Sequence, residues 1–166
     1  MTTAAKTLAA MAAALLLSGC MSISRSQPVS ALSQDWRTGG RVGEIALTTA
    51  PDLKLTPGFE DLFKTRVKAK LDACATGQRP LRLEASLSRF DKANPVVTTL
   101  VAGANVMRGK ARLVDVQAGT AVADYDIGQT VVGGRVAIIK MGQAEEQMSD
   151  AYGDELCKLA FAAPAK

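Results

Sequence analysis

The sequence predicts an α+β fold. The expected architecture is a two-layer sandwich, a mostly antiparallel sheet of about four strands with two helices on one face, in the order β-α-β-β-β-α. Three observations predict it. Apolar residues recur at spacings of three and four across 59–74. Apolar and polar residues alternate across 81–90. Residues 107–128 fold onto themselves as a hairpin with one charged and one apolar face.

The first strand spans 41–49. Ile45 and Leu47 share one face, Glu44 and Thr48 the other. Pro51 and Pro57 bracket the following loop. The first helix is the best-marked element: Thr56 can cap it and Pro57 suits its first position. Phe59, Leu62, Phe63, Val67, Leu71 and Cys74 form one apolar stripe, with Lys64, Arg66, Lys68 and Lys70 mostly off it. Gly77 is a natural stop. The stripe reads as core, because the strands need a cover. A membrane-surface helix with a basic face is the competing reading.

Leu81, Leu83, Ala85 and Leu87 alternate with Arg82, Glu84, Ser86 and Ser88, as in a half-buried antiparallel strand. Asp91 to Pro95 is a turn cluster. In the hairpin, a loop over Gln117-Ala118-Gly119 with Gly119 left-handed fixes the register. Arg112 then faces Asp124, Lys110 faces Asp126, Leu113 faces Ala123 and Ala111 faces Tyr125. A slip of one residue sets Arg112 against Tyr125 and loses both charge pairs. The last helix runs from about Gln143 to Phe161, with Glu145 and Glu146 in its first turn and Lys158 in its last. Met148, Tyr152, Leu156 and Leu159 form its stripe, and Cys157 lies on a flank.

Of 166 residues, 48% are hydrophobic and 22% charged, which fits one ordinary globular domain rather than a disordered chain. There is no His, which excludes a Ser-His-Asp triad, a Cys-His pair and imidazole metal ligation. Residues 1–19 carry a single charge, Lys6, before an apolar run from Leu8 to Leu17. That is a secretory leader, too short to span a bilayer. Leu17-Ser18-Gly19-Cys20 resembles the bacterial lipobox at every position. The resemblance implies cleavage before Cys20 and acylation of it, with palmitate among the chains. It also implies stable membrane anchoring. In similar lipoproteins Asp after the cysteine favours inner-membrane retention, so Met21 points to the outer membrane. The expected location is the cell envelope, facing the periplasm.

The division expected is therefore a cleaved signal peptide at 1–19, a lipidated flexible tether at 20–40 and a single α+β domain at 41–166. Serines recur through 22–33, Pro28 interrupts, and Trp36 is the first residue suited to pack on the domain. Once the leader is removed, 19 basic residues face 16 acidic ones, a mild excess that does not argue for nucleic acid. With Cys20 lipidated, Cys74 and Cys157 form an even pair in an oxidising compartment and are the disulfide candidates. Their bond would close a loop worth roughly 4 kcal/mol in the chain-entropy model. Two buried free thiols are the alternative.

The element order, together with Arg108-Gly109-Lys110-Ala111-Arg112-Leu113-Val114-Asp115 after an uncharged stretch and a turn at Ala118-Gly119-Thr120, resembles small proteobacterial envelope lipoproteins. More loosely it is similar to the periplasmic domain of the curli-export channel lipoprotein and to auxiliary lipoproteins of ABC-type lipid transporters. The resemblance implies an envelope location without catalytic residues.

The residues themselves offer little chemistry. Asp124 and Asp126 share a strand face and are read as cation partners rather than an acid-base pair. No phosphate-binding glycine loop, metal set or cofactor motif is present in the sequence. The function expected is thus a non-catalytic accessory or interaction module for transport, export or assembly, with a protein partner or self-assembly. Its candidate contact or anion surface is Arg108, Lys110 and Arg112 with Val101 and Val131; the last two come from the low-charge runs 96–107 and 128–139, which read first as buried or edge strand and loop, with a contact surface and membrane insertion as the alternatives. Aspartate at Val101 and Val131 is expected to abolish partner binding while sparing the fold. A carrier of a lipid or amphipathic ligand is the alternative function.

Overall fold

The computed structural model describes residues 21–94, 103–133 and 143–161. The elements are β1 (Met21–Ser24), β2 (Gln27–Ser30), α1 (Gln34–Gly39), β3 (Gly40–Thr49), α2 (Phe59–Cys74), β4 (Arg79–Asp91), β5 (Gly103–Asp115), β6 (Ala121–Gly133) and α3 (Ala144–Leu156), continued by a π-helical turn at Cys157–Phe161. The fold is α+β, as expected, but the sheet has six strands and is mixed. Its order is β1-β6-β5-β4-β3, with β2 also on β6. β3 and β4 are parallel, joined across α2, and the other pairs are antiparallel.

The two extra strands come from the segment expected as a flexible tether. Residues 21–40 instead form two edge strands and a short helix. Met21–Ser24 pairs with Gln129–Val132, and the chain crosses at Arg25–Ser26 before pairing again near Tyr125. At the crossing the Ser26 hydroxyl replaces a backbone partner: the Gly128 N–H donates to Ser26 Oγ at 3.0 Å. Pro28 is tolerated because it sits on an edge strand. Leu32 is buried, and its N–H donates to the Tyr125 hydroxyl at 2.9 Å. Trp36 does pack on the domain, with the Arg79 guanidinium 3.5 Å above its ring.

The hairpin takes the expected register. Arg112 pairs with Asp124, Lys110 with Asp126, Leu113 with Ala123 and Ala111 with Tyr125. Gly119 is left-handed at φ 68°, although the connection is longer than three residues and a bulge follows Leu113. β4 alternates as expected until a bulge between Leu87 and Arg89, which lets Phe90 return to the inner face.

One face of the sheet is covered. Leu83, Leu113 and Ala123 form one buried row, Ala85, Ala111 and Tyr125 the next. Both long helices lie on this face. An aromatic chain shows it: Phe90 of β4 meets Phe59 of α2 at 5.6 Å, Phe59 meets Phe63 at 5.9 Å, and Phe63 meets Tyr152 of α3 at 5.1 Å. The Tyr152 hydroxyl donates to the Lys110 carbonyl at 2.7 Å, and its burial pushes the phenol far above its ordinary range.

Helix boundaries differ from expectation in two ways. α2 begins at Phe59 behind a left-handed Gly58, not at Thr56-Pro57. Thr56 is engaged elsewhere, since its N–H and hydroxyl both donate to the Glu145 carboxylate. The π-helical turn after Leu156 rotates the last stripe, so Ala160 and Phe161 are buried in place of Leu159.

Between the helices, Gly153 lies against Lys70, and a Cβ there would sit 2.7 Å from that of Lys70. One turn further, Cys74 and Cys157 form a disulfide with Cα atoms 5.9 Å apart. Arg66–Asp150 at 2.7 Å and Lys70–Asp154 at 3.0 Å run beside it.

Candidate functional site

The sheet face left uncovered by the described residues carries the candidate basic residues, because pleating sends alternate residues of β5 outward. Met107, Ala111 and Leu113 face the core, while Arg108, Lys110 and Arg112 face away. The three cations are not equivalent. Arg112 is committed to Asp124, with its Nε donating at 2.8 Å; that hydrogen bond, with the Asp124 charge, raises its pKa. Asp124 is thereby a cation partner. Lys110 is exposed and faces Asp126 in register, outside ion-pair distance.

Arg108 is half-buried and fixed. Its Nη1 donates to the carbonyls of Met107 at 2.8 Å and Gln129 at 2.7 Å, and its Nη2 to Thr130 Oγ1 at 3.2 Å. Three of its five N–H groups are thus engaged, with no carboxylate within salt-bridge distance among the described residues. Burial, then the charges of Arg25 and Arg89, lower its pKa. Arg25 lies next to it because the Arg25 N–H donates to the Gly128 carbonyl at 2.7 Å, and Gly128 is the register partner of Arg108. The absence of a side chain at Gly128 is required, since a Cβ there would stand 2.8 Å from the Arg25 carbonyl.

These groups line a groove of about 270 Å³ with Ser86, Ser88, Gly109, Lys110, Asp126 and Ile127. Arg25 is the residue that sequence reasoning missed. The signal was present: Met21, Ile23 and Arg25 alternate with Ser22, Ser24 and Ser26, a period-two pattern hidden by its serine content.

Val131 does not belong to a contact surface. It is 8% exposed and packs in the core on the helix-facing side of β6. Aspartate there would bury an unpaired carboxylate, so the fold would not be spared. Odd-numbered residues of β6 face the helices, and its outward neighbours are Thr130 and Val132. Val101, like Cys20, lies outside the described residues. The two sulfurs of Cys74 and Cys157 are brought together as a bond on the helix seam, remote from the uncovered face.

Two other clefts have mixed linings. One of about 680 Å³ between α3 and β6 is lined by Gln129, Gln147, Asp150, Asp154 and Glu155 among others. Another of about 400 Å³ surrounds Thr56, Lys92 and Glu145. Burial pushes the Glu145 carboxyl up, but Lys92 and Thr56 hydrogen-bond to it and leave it below its ordinary value. Among the described residues, no group of three or more His, Cys, Asp or Glu is placed to hold a metal ion.

No known family model matches the sequence, and no curated protein is significantly similar to it. Solved structures do match. The PelC dodecamer from Paraburkholderia phytofirmans superposes with a TM-score of 0.53 at 15% identity, covering 86% of this chain and 100% of that one. A DUF330 protein from Xanthomonas campestris gives a TM-score of 0.46 at 13% identity, covering 79% and 92% of the two chains. A Caulobacter crescentus CB15 protein described as a candidate lipoprotein gives 0.42 at 15%, covering 67% and 84%. At these identities the likeness is one of fold, and the first of the three carries it: this chain has the fold of the PelC subunit.

Proposed function

We propose that the protein is a lipid-anchored envelope module without catalytic function, tethered through Cys20 on the periplasmic side of the outer membrane, and that it works as an assembly of its own copies serving an export or transport system. The observation that carries this reading is the fold shared along the whole length of a PelC chain, whose copies form a dodecamer. The leader ending in Leu17-Ser18-Gly19-Cys20 supports the anchor.

Native mass spectrometry of the detergent-solubilised protein tests both parts. The expected result is a closed oligomer whose subunits carry acyl mass on Cys20. A monodisperse monomer at micromolar concentration would overturn the assembly. Unmodified Cys20 in protein taken from its own envelope would overturn the anchor.

A further inference from the structure

The uncovered sheet face is ordered in rows, and the register gives them. Met21, Val132 and Ala104 form the first row; Ile23, Thr130, Val106 and Asp91 the second. Arg25, Gly128, Arg108 and Arg89 form the third. Asp126, Lys110 and Ser86 follow, then Asp124, Arg112 and Glu84. The face is therefore mostly apolar at the end where the chain enters, basic next, and mixed in charge beyond. Met21 is 60% exposed and Ile23 39%, so the apolar end is presented to the surroundings.

Three arginines in one row repel one another. Arg89 has a partner in Asp91 at 2.5 Å. Arg25 and Arg108, which flank Gly128, have no carboxylate within salt-bridge distance among the described residues, although all four basic residues of α2 find one. The groove beside them carries Lys110 and the hydroxyls of Ser86 and Ser88. Its one carboxylate, Asp126, stands opposite Lys110, so the Arg25–Arg108 end keeps its positive charge. Carbonyl bonds hold the Arg108 guanidinium in place, so it meets a ligand without further loss of side-chain freedom.

We propose that the Met21 end of this face enters the bilayer that holds the anchor, with the strands inclined to the membrane, and that the Arg25–Arg108 groove takes the phosphate of a phospholipid headgroup. The proposal rests on the anchored-lipoprotein reading for its orientation. Cys20 immediately precedes Met21, so an acylated Cys20 brings the apolar row to the membrane first. Four residues of strand separate Met21 from Arg25, about 14 Å. An apolar edge settles roughly 5–10 Å into the headgroup and acyl boundary. That depth leaves the arginine row at the level of the phosphates, where guanidinium groups bind them through paired N–H donors.

The test uses unacylated protein, residues 21–166, which contains every described element and the disulfide. Co-sedimentation is measured with vesicles of phosphatidylethanolamine and phosphatidylglycerol. The unacylated protein is expected to bind, and Arg25→Glu to weaken binding about tenfold or more. Arg25 is exposed, so an unchanged melting temperature will show that this variant folds. Lys68→Glu makes the same change in net charge on the helix layer and is expected to bind like the parent. Equal losses in both variants would reduce the effect to overall charge and overturn the groove.

Backbone amide shifts of Arg25 and Gly128 on titration with inorganic phosphate separate the two sources of the anion. Shifts without vesicle binding would identify a soluble phosphate site and overturn the membrane contact. Failure of vesicle binding leaves the acyl mass on Cys20 untouched, so the anchor and the groove stand or fall separately.

Discussion

The helix seam and the N-terminal edge are held by opposite means. At the seam, α2 and α3 approach so closely at Gly153 that no side chain fits, and a disulfide, two salt bridges and a buried aromatic contact follow along one line. At the edge, β1 and β2 bury almost nothing; every residue from Met21 to Ser30 is exposed except Ser26, which is half-buried. Ladder bonds and serine hydroxyls fix that segment: Ser24 donates to Glu155 at 2.6 Å, and Ser26 bridges to Gly128. Packing and, under oxidising conditions, a covalent link stabilise the seam. The edge depends on hydrogen bonds that water can replace, which suits the roles proposed for it in leading to a lipid anchor and presenting Arg25 to phosphate.

Breaking the disulfide should have the largest effect. Serine at both Cys74 and Cys157 is expected to lower unfolding free energy by about 4 kcal/mol in the chain-entropy model, measured by denaturant titration. The closed loop runs from α2 to α3 and encloses β4, β5 and β6, so the loss should appear globally. If only the edge strands loosened on reduction, the seam would not be the main tie.

Gly153→Ala is a test of sign. Alanine in an exposed helix stabilises by about 1 kcal/mol over glycine. Here its Cβ meets Lys70 Cβ at 2.7 Å and Val67 Cα at 3.3 Å, so the helices must part. Overpacking costs about 1–3 kcal/mol. The expected outcome is a net loss of roughly 1 kcal/mol by the same titration, and a gain would mean the seam is looser than the distances state.

The seam was largely legible in the sequence and the edge was not. The stripe Phe59, Phe63, Val67, Leu71 and the stripe Met148, Tyr152, Leu156 are large apolar residues at helical spacing, and such patterns report burial directly. The flank position of Cys157 allowed the bond to Cys74. The hairpin register could be read because opposite charges and apolar pairs sorted together only one way. What escaped was structure made by the backbone alone. Edge strands need no apolar face, so serine-rich Met21–Ser30 looked like a linker. The parallel pairing of β3 with β4 is set by where α2 delivers the chain, and no local pattern encodes that. The π-helical turn at Cys157–Phe161 likewise moved Leu159 off the core without a sequence mark. On the uncovered face, Arg108 and Lys110 were found by charge, whereas Arg25 needed the fold to place it. The run that holds Val131 has no clear alternation, so the sequence leaves it open between buried strand and contact surface, and the register of β6 against β5 shows that it faces inward.

The smallest expected effect joins the two regions to function. Ser26→Ala removes the hydroxyl that accepts from the Gly128 N–H at 3.0 Å and donates to the Gly128 carbonyl at 3.3 Å. The expected cost is about 1 kcal/mol, and it should be local. Amide exchange at Arg25 and Gly128 should accelerate several-fold, while Leu83, Ala111 and Leu113 in the central strands keep their rates. Phospholipid binding is the more discriminating readout. If the crossing at Arg25–Ser26 positions the guanidinium beside Arg108, a looser crossing weakens vesicle binding even though every charge is retained. Unchanged binding with faster exchange would mean that Arg25 acts as a mobile charge near the membrane and that the shape of the groove is irrelevant. A global loss of protection would mean that the edge is coupled to the core through Leu32 and Tyr125, and the contrast between the two regions would then be one of degree.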